Sequence, residues 1–367
     1  MKFILSLKDE NVAMDHEEAF GALGSALQSF VNVDDQLCRT IIPFPHNPHY
    51  NAVALKKYDR MSLADRFSEL GDKLTPPERD VLEAILSVQT GGTMENSSFW
   101  DLLRAWALSN YNWADYLSAA ATYKLRRGQS HFARCMFDEA ANTGRLDYAF
   151  STPVAGIKDV GNHTEITSKS GAIFLSRRVV CTVPLNVLHE LPFTPPLSPL
   201  KREASVLGHA SRAIKINVEA ENPELRSLGG LAHPPGKVTY VFGDGTTPTG
   251  NTHIVSLGTV PTGVGLQPAK DIKEISEALR LFADNMEITR LVFHDWNKDP
   301  YSRGTWSWYQ PGMATKYVAA LRERQGNVFF ASADWATAWR GCIDGAIEDG
   351  KRVAKEIADE IKEGYEF

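Results

Sequence analysis

The sequence predicts a mixed α/β fold, and three observations carry that reading. The first third shows helical periodicity. Near Arg145 the texture changes to short apolar runs broken by glycine turns. The chain closes on a strand that feeds a helix dense in small residues. A length of 367 residues implies two domains or one large interleaved unit.

The helices come first. In "MDHEEAFGALGSALQSFV", Asp15 is an N-cap, acidic residues fill the first turn, and Phe20, Leu23, Leu27 and Phe30 share a face. "LTPPERDVLEAIL" has Thr75 as cap, Pro76 at the first helical position and Glu78 closing a capping box. In "SSFWDLLRAWAL", Phe99, Leu102, Leu103 and Trp106 follow the helical period. Short strands are expected next, with turns at Gly161-Asn162 and Ser170-Gly171. The run Val179 to Val183 is apolar on both faces and reads as a buried strand. A hairpin is expected around Asp244-Gly245, then a helix in "IKEISEALRLFAD" and a strand in "RLVFHDW". The last strand runs from Asn327 to Ala331. The last helix starts near Cys342, striped by Ile343, Ile347, Val353, Ile357 and Ile361.

Composition narrows the function. A hydrophobic fraction of 43% with 23% charged residues is that of a globular protein with a sizeable core. The net charge of −6, with no basic stripe, argues against a nucleic-acid partner. The four cysteines are far apart, so their spacing offers neither a metal site nor a disulfide framework. His46 and His49 in "PHNPHY" have no third ligand at recognisable spacing and read as loop histidines; no metal is expected. "MKFILSLKDE" is too short for a signal peptide, no run approaches membrane-spanning length, and "EGYEF" is no targeting tripeptide. No membrane association is expected, and a cytoplasmic location is.

Chemistry concentrates in "FASADWATAWRGCIDGAIEDG", Phe330 to Gly350. Gly341 and Gly345 would let another group approach the backbone, and a helix N-terminus there offers free N–H donors. On the residues alone, this fits either an anionic cofactor or a close-packed strand–helix junction. No G-x-G-x-x-G turn between a strand and a helix opens the chain; "FGALGSA" lies inside a predicted helix.

"HDWNKDPYSRGTWSWYQPGM" followed by "NVFFASADWATAWRGCIDGAIEDGKRVAKEI" resembles the C-terminal part of the flavin-dependent amine oxidases, and most of all the fungal monoamine oxidase N type. The likeness runs back through "GDGTTPTGNTH", "VVCTVPLNVL", "GQSHFARCMFDEAANTGRL", "KYDRMSLADR" and "NVDDQLCRTIIPFP". It implies a two-domain fold in which an FAD-binding domain is interleaved with a substrate domain, here without the N-terminal Rossmann segment that grips the ADP half. It divides the chain into a helical part of the substrate domain (1–125), the middle of the FAD-binding domain (126–203), the substrate-domain sheet (204–310) and the C-terminal part of the FAD-binding domain (311–367). An incomplete domain of that kind implies a homodimer or a partner chain over the truncated edge.

The resemblance also implies a reaction: oxidative deamination of a small-molecule amine through non-covalent FAD, with O2 giving peroxide. It implies catalytic roles for Lys215, which holds a water against the reactive flavin nitrogen, and for Trp306, one wall of an aromatic cage around the amine. The second wall falls on Cys342, a departure that opens the cage. Thr305 stands where some relatives bond the flavin covalently. Val154 would meet the adenine, and Ala333, Asp334 and Ile343 would line the flavin. The alternative implied is a flavin-free family member using the old cavity for isomerisation or cyclisation, or as a binding partner.

Overall fold

The computed structural model describes residues 2–7, 11–259 and 268–363. In chain order the elements are β1 (Lys2–Ser6), β2 (Asn11–Asp15), α1 (His16–Val31), α2 (Ala52–Tyr58), α3 (Leu63–Leu70), α4 (Pro76–Thr90), α5 (Phe99–Leu108), α6 (Trp113–Ala121) and α7 (Gln129–Asn142). Then follow β3 (Val154–Asp159), β4 (Thr164–Ser168), β5 (Ile173–Ser176), β6 (Val179–Cys181), β7 (Phe193–Thr194) and α8 (Pro199–Leu207). The rest are β8 (Ala213–Ala220), β9 (Gly229–Ala232), β10 (Tyr240–Thr246), β11 (Thr252–Thr259), α9 (Pro268–Arg280), β12 (Ile288–Phe293), α10 (Met313–Arg322), β13 (Val328–Phe330) and α11 (Ile343–Lys362). Asp9, Glu10 and the C-terminal residues 364–367, read above for targeting signals, lie outside the described residues.

Local signals fixed the helix starts. Asp15 accepts the N–H of Glu17 at α1, and the Glu78 carboxylate accepts both the N–H and the hydroxyl of Thr75 at α4. The main core joins α1–α5 to α10 and β13. Trp100, Trp106, Phe99 and Trp335 are fully buried within it. Each such aromatic removes roughly 150–250 Å² from water, or roughly 4–6 kcal/mol of transfer free energy before ordering costs.

A seven-stranded sheet has the order β12-β8-β11-β10-β9-β1-β2. Ile275, Leu279, Phe282 and Met286, on α9 and just after it, cover one face, against Ile214, Ile216, Val218 and Ile254. Ala19 of α1 and Ala84 of α4 pack on the other, against Phe3, Leu5 and Leu231. A four-stranded sheet, β5-β4-β3-β7, and a two-stranded parallel pair, β13–β6, complete the structure.

Four expectations change. The first third is not helical throughout: β1 pairs parallel with β9, and β2 forms the sheet edge. The β10–β11 turn lies at Thr247–Asn251, while Asp244 and Gly245 sit in β10 at a bulge, where Gly245 takes φ 101°. The strand at Val179 is covered on one side only. Cys181 faces the main core at 4% exposure, but Val180, paired with Phe329 of β13, is 43% exposed. The α11 stripe is likewise half covered: Val353 packs on Phe329 and Ala331, while Ile343 and Ile361 are exposed.

Candidate active site

The site is built where α4, β8 and the segment Gly304–Tyr309 meet. Gly91 ends α4 in the left-handed region (φ 64°), and a Cβ there would stand 2.1 Å from Ser211 Oγ. Ser211 Oγ and Thr305 Oγ1 share a hydrogen bond of 2.5 Å, and Ala213 N–H donates to Thr305 Oγ1 at 3.3 Å. The first residue of β8 is therefore tied to the Thr305–Trp306 segment. Trp306, half-buried, donates its indole N–H to Gln89 O at 2.7 Å, in the last turn of α4, which fixes the ring plane.

Lys215 lies two residues further along β8. Ile214 and Ile216 are buried under α9, so strand alternation turns Lys215 to the opposite, accessible face, as the sequence implied. Its cross-strand partner is Leu257.

The second half of the site is the turn from β13 into α11. Gly341 adopts φ 75° and donates its N–H to Ala333 O at 3.0 Å. A Cβ there would lie 2.7 Å from Ser307 O, so only glycine lets this turn lie against the Trp306 segment. Ser307 Oγ donates to Asp334 O at 3.3 Å. Asp334 is buried, accepts Leu185 N–H at 2.8 Å, and has its pKa raised by that burial. Cys342 is the exposed N-cap of α11 and makes no side-chain cap. The fold thus gathers Thr305, Trp306, Ala333, Asp334, Cys342 and Ile343 and brings Lys215 to their edge. Val154 stands apart, 39% exposed at the start of β3 in the other sheet.

A buried polar floor supports the segment. Gly304 packs on Asn186 and His209, and Asn186 bonds Arg303 O and His209 N–H. Burial, then the charge of Arg212, pulls His209 down to about 3, so it is neutral. Behind the turn, Asp101 receives Arg340 Nη1 at 2.6 Å and Arg104 Nη1 at 3.1 Å on one oxygen, and Tyr309 N–H at 2.9 Å on the other. Burial disfavours its charge, yet Arg340 and Arg104 hold its pKa below the usual range. Sequence reasoning missed this cluster. Its one local signal was Asp101 and Arg104 at i, i+3 among the apolar residues of α5.

The ring end of the site fits a flavin. Without a side-chain cap, the first turn of α11 keeps amide donors and a positive dipole end for a carbonyl-rich or anionic group.

The chain belongs to the flavin-containing amine oxidoreductase family, whose pattern matches residues 11–358. It is 31% identical over 347 residues to a pseudooxynicotine dehydrogenase from a Pseudomonas species, covering 94% of this chain and 67% of that protein. It is 25% identical to the nicotine dehydrogenase of Pseudomonas putida, covering 88% of this chain and 65% of the relative. The chain thus spans about two thirds of the length of these relatives. Among solved structures, a triple mutant of putrescine oxidase matches with a TM-score of 0.80 at 16% identity, over 98% of this chain and 81% of its own. The cyclohexylamine oxidase of Brevibacterium oxydans matches with 0.77 at 15% identity over the same shares. These two share the fold.

Proposed function

We propose that this chain takes part in oxidative deamination of a small-molecule amine with non-covalent FAD. The carrying observation is that Trp306 and the uncapped N-terminus of α11 meet where Gly341 lies against Ser307, with Lys215 on the strand that Ala213 ties to Thr305. Ile343, Ala333 and Asp334 would flank the flavin, with Val154 toward the adenine. FAD, when bound, supplies the two-electron acceptor that O2 recharges with release of peroxide.

The chain's own residues do the rest. Trp306, its N–H held by Gln89, presents a fixed π-face to the amine. Lys215 would hold a water against the reactive flavin nitrogen. Thr305 carries a hydroxyl already engaged by Ser211 and Ala213, so attachment stays non-covalent. Cys342 leaves one side of the cage open and admits bulkier amines than two facing aromatic rings would. That direction agrees with relatives named for nicotine and pseudooxynicotine. The motifs "GDGTTPTGNTH" and "VVCTVPLNVL" support kinship with the fungal branch. A partner chain or second copy over the exposed side of β6, α7 and α11 belongs to the same proposal. So does a location in the cytoplasm; among the described residues no helix is long and apolar enough to cross a membrane.

The test is the visible spectrum of the purified chain before and after FAD and desalting. Retained flavin bands that bleach under amine without oxygen support the reading. Trp306→Ala should then raise KM roughly 5- to 30-fold, the loss of about 1–2 kcal/mol of cation–π contact. Lys215→Met should slow turnover with little change in KM. A folded, colourless chain that takes up no FAD would end the oxidase reading for this chain. The open cage at Cys342 would then favour the flavin-free isomerase, cyclase or binding role.

A further inference from the structure

The cluster behind the Cys342 turn has no part in that amine chemistry. Asp101, Arg104, Tyr309 and Arg340 are exposed by 3%, 4%, 0% and 8%. One carboxylate serves two guanidiniums through a single oxygen. Arg104 Nη2 donates to Thr337 O and Ala338 O at 2.8 and 2.5 Å, and the Arg340 guanidinium lies 3.7 Å over the Tyr309 ring. Among the described residues, Arg104 Nε, Arg340 Nε and Nη2, Tyr309 Oη and His49 Nε2 still have no hydrogen-bond partner.

The other buried carboxylates nearby bond elsewhere. Asp59 accepts the N–H groups of Ala314 and Thr315, Asp334 accepts that of Leu185, and burial pushes both towards the neutral acid. Arg322 is matched by Asp349. Asp101 is the one carboxylate bonded to both guanidiniums, and arginine cannot shed its charge. Buried charged side chains with idle donors are costly, and so many idle donors on neighbouring side chains is unusual in a folded protein. Burial and Arg340 lower Arg104 to about 10, and burial with Arg340 and Arg104 lowers His49 to about 4. His49 is half-buried and close enough to Arg340 and Arg104 to feel their charge.

We propose that Arg104 and Arg340, with Tyr309 and His49 beside them, bind an anionic oxygen group: a free oxyanion or a carboxylate. Two or more oxygens would meet the idle Nε and Nη2 donors together, the fork geometry that guanidinium groups favour. The proposal does not depend on the amine-oxidation reading, because the probe needs no flavin.

The test is thermal unfolding of the full chain at constant ionic strength with inorganic phosphate, acetate, or chloride as the third arm. The midpoint should rise by a few degrees and saturate with phosphate, acetate or both, and stay flat with chloride. Saturation by phosphate alone marks an oxyanion site; saturation by acetate alone marks a carboxylate site. Arg340→Met should abolish the rise, while Lys215→Met should keep it. Should Arg340→Met fail to fold, Arg104→Gln and His49→Phe take its place. A wild-type midpoint that responds equally to all three anions, or a rise that survives the arginine substitutions, would overturn the proposal.

Discussion

At the scale of single residues, the site rests on neutral buried histidine and on charged groups that must find partners. His209 sets a pH dependence whose sign is fixed. Its folded pKa is about 3, against about 6.5 for an unfolded histidine. Below pH 6.5 the unfolded chain takes up a proton that the folded chain refuses. Stability is therefore full above 6.5 and is lost as pH falls towards 3. By pH 5 the loss from this residue is on the order of 2 kcal/mol. Urea midpoints at pH 7 and pH 5 should show it, and His209→Gln should flatten the difference. An unchanged slope in that variant would mean that His209 is protonated in the folded state.

At the scale of elements, the turn between β13 and α11 is the part that tolerates least. Gly341 combines φ 75° with Ser307 O at 2.7 Å from any added Cβ. Gly341→Ala should cost on the order of 1–3 kcal/mol from the backbone conformation alone. It should also push the Trp306 segment away, visible as a shift in tryptophan fluorescence. Gly350→Ala, deep in α11 with nothing near its Cβ, is the matching control and should be neutral or mildly stabilising. If the two variants melted alike, the close approach of turn and segment would not matter to stability. Helix starts at Asp15 and Thr75 were legible because a cap and its partner lie within three residues. The coverage of β6 and α11 was not legible, because apolar side chains look the same whether or not something packs on them.

At the scale of the whole molecule, apolar surface is unevenly shared. The seven-stranded sheet is covered by helices on both faces, while α7 buries no residue and the Phe137, Tyr148 and Phe150 rings pack mainly on each other. Phe150, Val180, Leu175 and Ile343 are all more than 40% exposed. Apolar surface of this kind promotes association. Sedimentation velocity over a concentration series should show self-association of the isolated chain, weakened by Val180→Lys with Phe150→Lys. A strictly monomeric chain at all concentrations would remove the partner from the proposed function.

The sequence by itself determined α1, α4, α5, α9 and α11, the alternation that turns Lys215 away from Ile214 and Ile216, and the family, because these signals are local or lie in ordered motifs. Only the tertiary structure decided that β1 completes the sheet beside β9, and that Arg340 reaches across 239 positions to Asp101. Strand pairing and charge pairing at that distance carry no local period. They are settled by which faces remain to be buried, and which donors remain to be matched, once the helices have packed.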